Sequence, residues 1–362
     1  MHHLCTSIST RALSLAFAAS LAAVSAHAAP TAAPGYQLSI FASPLAGSSA
    51  PDSIAVVGSD VFVGYGNGGA PDGSAGAIST IAEYSVSGAL LGQTTVVGHN
   101  DGLRYDAQTG QLWAIQNEDG NPNLVLVNPA NLAKSSPLPF STTPHGGGYD
   151  DVAFSADGTA YVSASNPAHN PNTAPAIVSV SLSATQALVN GGVLAGDAMA
   201  TVINPPGGST TLNLQDPDSL IFAPDGRLVL DSQGDKQLIF VRGVGSKSQS
   251  VSVLNLQDEV DDTVFARGGE QRLLFSDTGS GNIYALTESF GAGAAISAAD
   301  VLNQIVGVNL GTGAFTPLVQ GLDSPHGEAL LSAAPEPSTW ALLIIGFGAL
   351  GIIARQRKPA GA

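Results

Sequence analysis

Six residues occupy one equivalent position of a repeated pattern: Asp52, Asp101, Asp150, Asp218, Asp261 and His326. Five carboxylates and an imidazole brought together form a hard-cation environment, suited to Ca²⁺ or Mg²⁺ because both prefer oxygen ligands. Without a cation, carboxylates that close would repel one another and raise one another's pKa. The segments after the second strand of each unit add further donors: Asn67, Asn117 with Glu118 and Asp119, Asn166, Gln233 with Asp235, and Asp277. Four histidines lie between residues 29 and 334, namely His99, His145, His169 and His326, and all fall in expected loops or strand starts on the same face. Two uses follow from this chemistry. In one, a metal ring of Asp52, Asp101, Asp150, Asp218, Asp261 and His326 holds a cation for binding alone. In the other, the cation polarises a carbonyl and activates water. Asp150, Asp151, Asp218 and Asp261 are then ligands or bases, and His145 or His326 the acid–base groups. A plainer role is equally open, since an Asp at a strand start can accept N–H groups of the adjacent turn and be copied into every repeat. No zincin, P-loop, nucleophile-elbow or EF-hand spacing is present, and the glycine-rich stretch 64–76 reads as a loop.

The elements that must carry these residues are short β-prone runs. One unit is Asp218-Ser-Leu-Ile-Phe-Ala-Pro-Asp-Gly-Arg-Leu-Val-Leu-Asp231, and Asp150-Asp-Val-Ala-Phe-Ser-Ala-Asp-Gly-Thr-Ala-Tyr-Val-Ser163 repeats it. Further copies start at Asp101, at Asp52, and at Asp261, the last running through Gly269 into Arg272–Asp277; a truncated copy starts at His326. Each reads as strand, tight turn, strand. Asp157-Gly158 and Asp225-Gly226 are hairpin dipeptides, and Gly110 and Gly269 fill the same role. The starts are 49, 49, 68, 43 and 65 residues apart, a period that fits four-stranded propeller blades of about 40–50 residues with loop insertions. A sandwich gives no reason for such a repeat, and a β-helix needs a shorter one. The expected fold is therefore all-β, a β-propeller with six blades favoured and five as the alternative. The segment Tyr36–Ala42 supplies strands to the truncated sixth unit and closes the ring. The best helix candidate is 294–305.

Charge and hydropathy complete the bounds. The chain of 362 residues carries 28 acids and 12 bases, a net charge of −16, with mean hydropathy +0.21. Residues 29–334 alone hold 27 acids and 8 bases. A nucleic-acid partner, which requires a Lys/Arg surface, is excluded. The apolar excess sits at the ends. His2, His3 and Arg11 precede the apolar run 12–24 and the triplet Ala26-His27-Ala28, the pattern of a signal peptide over residues 1–28. Cys5, the one cysteine, lies within that segment, so disulfides are excluded from the remainder. At the other end, Pro335-Glu336-Pro337 and Trp340 precede the apolar segment 341–354 and the basic cluster Arg355, Arg357 and Lys358. Trp340 suits a membrane interface and the bases suit the cytoplasmic side, but the run falls short of the ~20 residues of a comfortable span. The domain reading is 1–28 signal peptide, 29–334 propeller and 335–362 tail, with a signal helix and a short C-terminal hydrophobic helix flanking the propeller.

The tail resembles the PEP-CTERM sorting signal of Gram-negative bacteria in its PEP triplet, its Trp340-Ala341 pair, its glycine-rich apolar segment and its basic end. The resemblance implies an exosortase-type transpeptidase as partner, contact with the membrane during sorting, cleavage near the PEP triplet, and export to the cell surface or an exopolysaccharide matrix. The repeats resemble NHL-repeat and regucalcin/gluconolactonase-type propellers through the openings Pro51-Asp52-Ser53, Pro217-Asp218-Ser219 and Pro325-His326-Gly327. This second resemblance implies the propeller fold and the lactonase-like alternative. The uniform Asp ring departs from the mixed Glu, Asn and Asp ligands of such lactonases. The reading favoured is a non-catalytic binding protein holding a divalent cation, with a polysaccharide or surface protein as further partner.

Overall fold

The computed structural model describes residues 29–332. Six sheets, antiparallel except where Met199–Val202 runs parallel to Ser250–Asn255, form a six-bladed β-propeller, and helix among the described residues is limited to two single turns, Ser74–Gly76 and Asp300–Leu302. The expected flanking helices and the sorting tail lie outside the described residues. No helix among the described residues is long and apolar enough to cross a membrane.

The innermost strands, in ring order, are Pro51–Val57, Asn100–Asp106, Val152–Phe154, Pro217–Phe222, Thr263–Phe265 and Pro325–Ser332, which we take as the starts of blades I to VI. Their apolar residues alternate between blade faces, so Ile54, Leu103, Val152 and Leu220 are buried between sheets. Each such side chain contributes about 1.5–3 kcal/mol when fully buried. The Asp-Gly dipeptides form the expected tight turns, with Gly158 at φ 83° and Gly226 at φ 82°. Glycine is also required where inner strands converge. A β-carbon at Gly102 would stand 2.3 Å from the Asp150 carbonyl oxygen, and one at Gly327 would stand 2.4 Å from that of Asp52.

Blades V and VI depart from the simple repeat. The chain leaves Thr263–Phe265 through Gly268 and Gly269, but Glu270–Asp277 does not pair back onto it. Instead Glu270–Asp277 and Asn282–Thr287 become the middle strands of blade VI, between Pro325–Ser332 and the N-terminal strand Gln37–Ala42. The chain then returns to blade V as Ala295–Ala299, Gln304–Val308 and Phe315–Gln320, edged by Thr31–Ala32. Gly269 thus turns the chain between blades rather than within a hairpin. The closing role of the N-terminal segment is as expected, and the middle strands of the truncated sixth unit come from upstream sequence. The helix candidate 294–305 is also corrected: it folds as two strands joined by the turn Asp300–Leu302, with Asn303 at φ 56°. Its apolar residues pack between blades, where Ala298, Ala299, Ile305 and Val306 are fully buried, and this outweighs their helix propensity.

Two concavities open at opposite ends of the central channel. One, of about 400 Å³, is lined mainly by acids. The other, of about 360 Å³, is an apolar funnel walled by residues such as Ile54, Phe154, Leu220 and Phe265. The Arg104 side chain stands between them in the channel.

Candidate metal centre

The inner strands all start at the same mouth, so a residue at their first turn faces the axis whatever its blade. Asp52, Asp101, Asp150, Asp218, Asp261 and His326 all line the 400 Å³ basin there. His99, Glu118, Asp119, Asp216 and Asp300 join them from the loops, which brings nine carboxyl groups and two imidazoles into one space.

Two triads on this ring behave differently. In the first, His326 Nδ1 lies 3.0 Å from Asp261 Oδ1 and 3.6 Å from Asp52 Oδ2. Burial opposes charge on His326, but the Asp261 and Asp52 carboxylates outweigh it and raise the imidazole well above its usual value. Burial lifts the Asp261 carboxyl to about 6 even with His326 beside it. This triad therefore carries its own counter-charge. In the second, carboxylate oxygens of Asp101, Asp150 and Asp218 lie within 4.8 Å of one another. Among the described residues, no N–H or hydroxyl group donates to these three carboxylates. Burial first, and then neighbouring carboxylates, drive Asp150 and Asp218 well above the carboxylate range. Two oxygens each about 2.4 Å from one Ca²⁺ lie at most about 4.8 Å apart, so this spacing suits one shared ion.

Glu118, on the turn after Gln111–Gln116, faces the same space, and its Oε2 is buried without a partner. Burial, with Asp101, Asp52 and Asp119, pushes its carboxyl up to about 10.

One residue deeper, the acids are fully satisfied. Arg104 donates to both oxygens of Asp151, with its shortest contact 2.7 Å, and reaches Asp262 at 3.5 Å. Asp151 also accepts the Leu220 N–H at 3.1 Å, while Asp262 accepts the N–H groups of Thr263 and Glu328, both at 2.9 Å. This network ties blades II, III, IV, V and VI across the axis. Burial works against the Arg104 charge, yet the two carboxylates raise its pKa.

His145 stands apart. It is buried, its Nε2 is within hydrogen-bond reach of the Gly148 carbonyl, its ring packs on Tyr149 at 5.0 Å between centroids, and it does not line the basin. Burial lowers its pKa. His169 is exposed and also outside the basin.

Sequence reasoning placed Glu118 and His99 on this face without assigning them to the ring. It missed Arg104, Asp262 and Glu328. The available signal was chemical: Arg104 and Glu328 place a charge among the mostly apolar residues that follow each ring position. Glu328 occupies the position held by Ile54, Leu103, Val152, Leu220 and Thr263, and it is fully buried with neither carboxyl oxygen partnered. Burial, with Asp262 and Asp261, raises its pKa well above the carboxylate range.

A six-bladed propeller with an acidic mouth is thus the class that fold and geometry define. Residues 333–358 match the PEP-CTERM protein-sorting motif. That motif implies recognition by an exosortase, export, and transient membrane anchoring before surface display. No curated relative matches the chain in sequence. Among solved structures, the chain is similar to the periplasmic gluconolactonase of Pseudomonas aeruginosa, with 13% identity and TM-score 0.47 over 78% of this chain and 89% of that one. It is also similar to a functionally unknown protein from Desulfotomaculum acetoxidans, at 11% identity and TM-score 0.47 over 79% and 90%. A virginiamycin B lyase from Staphylococcus aureus aligns at 8% identity and TM-score 0.41 over 82% and 96%.

Proposed function

We propose that this chain is an exported, exosortase-sorted propeller that holds a divalent cation of the Ca²⁺ or Mg²⁺ type at its acidic mouth and acts there as a non-catalytic binding module. The observation that carries the reading is the Asp101, Asp150 and Asp218 triad, whose oxygens lie within 4.8 Å of one another with no basic side chain paired to them among the described residues. Asp52, Asp261 and His326 form the opposite, self-compensated wall. An ion at the triad keeps open coordination positions toward the basin, where sugar hydroxyls or a protein carbonyl of a surface or matrix partner supply the remaining oxygens. A binding role is favoured over lactonase-like hydrolysis because neither histidine offers the basin a free general base. His145 lies outside the basin, and His326 is held as a cation between two carboxylates. In this reading residues 1–28 and 335–362 serve delivery and residues 29–334 serve binding.

The test is elemental analysis of the purified full chain after dialysis, with melting followed in added calcium. We expect roughly one equivalent of divalent metal and a higher melting temperature. Absence of metal together with an unchanged melting temperature would refute the reading. A panel of lactones and esters should show no turnover; turnover by wild type that Asp150→Ala abolishes would establish the hydrolase instead.

A further inference from the structure

We propose that the mouth holds a second cation on His99, Asp101 and Glu118, with Asp101 bridging it to the ion on Asp101, Asp150 and Asp218. This inference rests on the reading of the mouth as a cation site. Ligand atoms of His99, Asp101 and Glu118 lie within 4.8 Å of one another, and His99 Nε2 is 3.8 Å from Glu118 Oε2. The unmet bonding capacity is independent of this proximity. Glu118 Oε2 and His99 Nδ1 are both buried without a partner. Asp150 and Asp218, 6% and 9% exposed, also line this basin, and their carboxylates meet other carboxyl groups rather than an N–H or hydroxyl donor among the described residues. A buried polar atom left unpaired is costly, the more so when charged, and several in one space point to a missing positive partner.

The two donors outside the ring are rigidly placed. Asn117, at φ 69°, accepts the His99 N–H on Oδ1 at 2.9 Å and donates its own N–H to the His99 carbonyl at 2.8 Å. That reciprocal pair fixes the backbone of His99 and of the adjacent Glu118. The His99 ring is packed so closely on Gly66 that a β-carbon there would stand 2.7 Å from Cε1. The donor sets differ in kind. Three carboxylates suit calcium or magnesium, while an imidazole with two carboxylates suits a first-row transition ion. The mouth is therefore a mixed two-ion centre.

The probes are Ca²⁺ and Co²⁺, titrated alone and together into the full chain by calorimetry, with the cobalt visible spectrum recorded. We expect Co²⁺ to bind while Ca²⁺ remains bound, and Glu118→Gln and His99→Ala each to weaken Co²⁺ at least tenfold while leaving Ca²⁺ in place. Asp150→Asn should do the reverse, and Asp101→Asn should lose both ions. An anomalous map of wild-type crystals at the cobalt edge, with a peak beside His99, gives the same answer without a variant. Co²⁺ that merely displaces Ca²⁺, or Co²⁺ affinity unchanged in Glu118→Gln, overturns the second site and leaves the first standing. Binding of neither ion overturns the reading of the mouth itself.

Discussion

The throat and the mouth of the channel are built from the same residue type one position apart, yet they are chemically opposite. In the throat, Asp151 and Asp262 receive the Arg104 guanidinium and three backbone N–H groups. At the mouth, Asp101, Asp150 and Asp218 receive neither a guanidinium nor a backbone N–H among the described residues and face one another. Aspartate at an inner strand start is therefore neither structural nor ligating by identity. Its role follows from where the donors are. The throat acids hold blades together, and the mouth acids are left for a cation from outside.

The sharpest way to break this contrast is to give the throat the mouth's deficit. Arg104→Met removes the counter-charge of two buried carboxylates and should destabilise the fold by about 3–5 kcal/mol in denaturant titration. Adding Asp151→Asn and Asp262→Asn to the same variant should recover most of that loss, because the stranded charges go while amide oxygens remain to accept the backbone N–H groups. A loss below about 1 kcal/mol for Arg104→Met would mean that the network does not tie the blades.

The converse change relieves the mouth. Asp150→Asn should raise the calcium-free melting temperature by roughly 2–4 °C, the effect of about 1 kcal/mol in a chain of this size or somewhat smaller. Asp261→Asn, which deprives His326 of its nearest carboxylate, should lower it. Equal shifts in both variants would erase the distinction between the two triads.

The pH dependence follows from the same acids. Asp150, Asp218 and Glu118 have raised pKa values in the folded state, and Asp261 titrates at about 6. The folded chain then binds more protons than the unfolded one above about pH 4, so stability falls as pH rises from there. Calcium-free melting temperature should decline from pH 4.5 to 7.5, and saturating calcium should flatten the decline. A calcium-free curve that rises over this range would contradict the directions assigned. Glu328→Gln should stabilise the calcium-free fold at neutral pH and lose that gain as pH falls toward 4 in denaturant titration, because burial raises this carboxyl well above its usual value and folding at neutral pH must then take up a proton.

Much of this was legible in the sequence, and the reasons differ by region. Repetition of strand, Asp-Gly turn and strand revealed the propeller because each blade solves the same packing problem. The ring positions followed because equivalent residues of a closed repeat must face one axis. The exchange of strands between blades V and VI was not legible: Gly268-Gly269 turns the chain as an ordinary hairpin would, and nothing local says which sheet Arg272–Asp277 joins. The helix expectation at 294–305 failed because alanine-rich sequence reads as helix until burial between blades decides. His145 looked equivalent to His326 as a loop histidine, and only the packing of Gly148 and Tyr149 separates it from the basin.

The central claim is that the uncompensated triad is the cation site, and the most direct test is the calcium-induced rise in melting temperature of wild type, Asp150→Asn and Asp52→Asn, measured side by side. At 100 times Kd, a single ion stabilises by about 2.7 kcal/mol, a rise of roughly 5–10 °C for a domain of this size or somewhat smaller. The account predicts that rise in wild type and Asp52→Asn and its loss in Asp150→Asn. A rise that survives in Asp150→Asn, or that is absent from wild type, would contradict it.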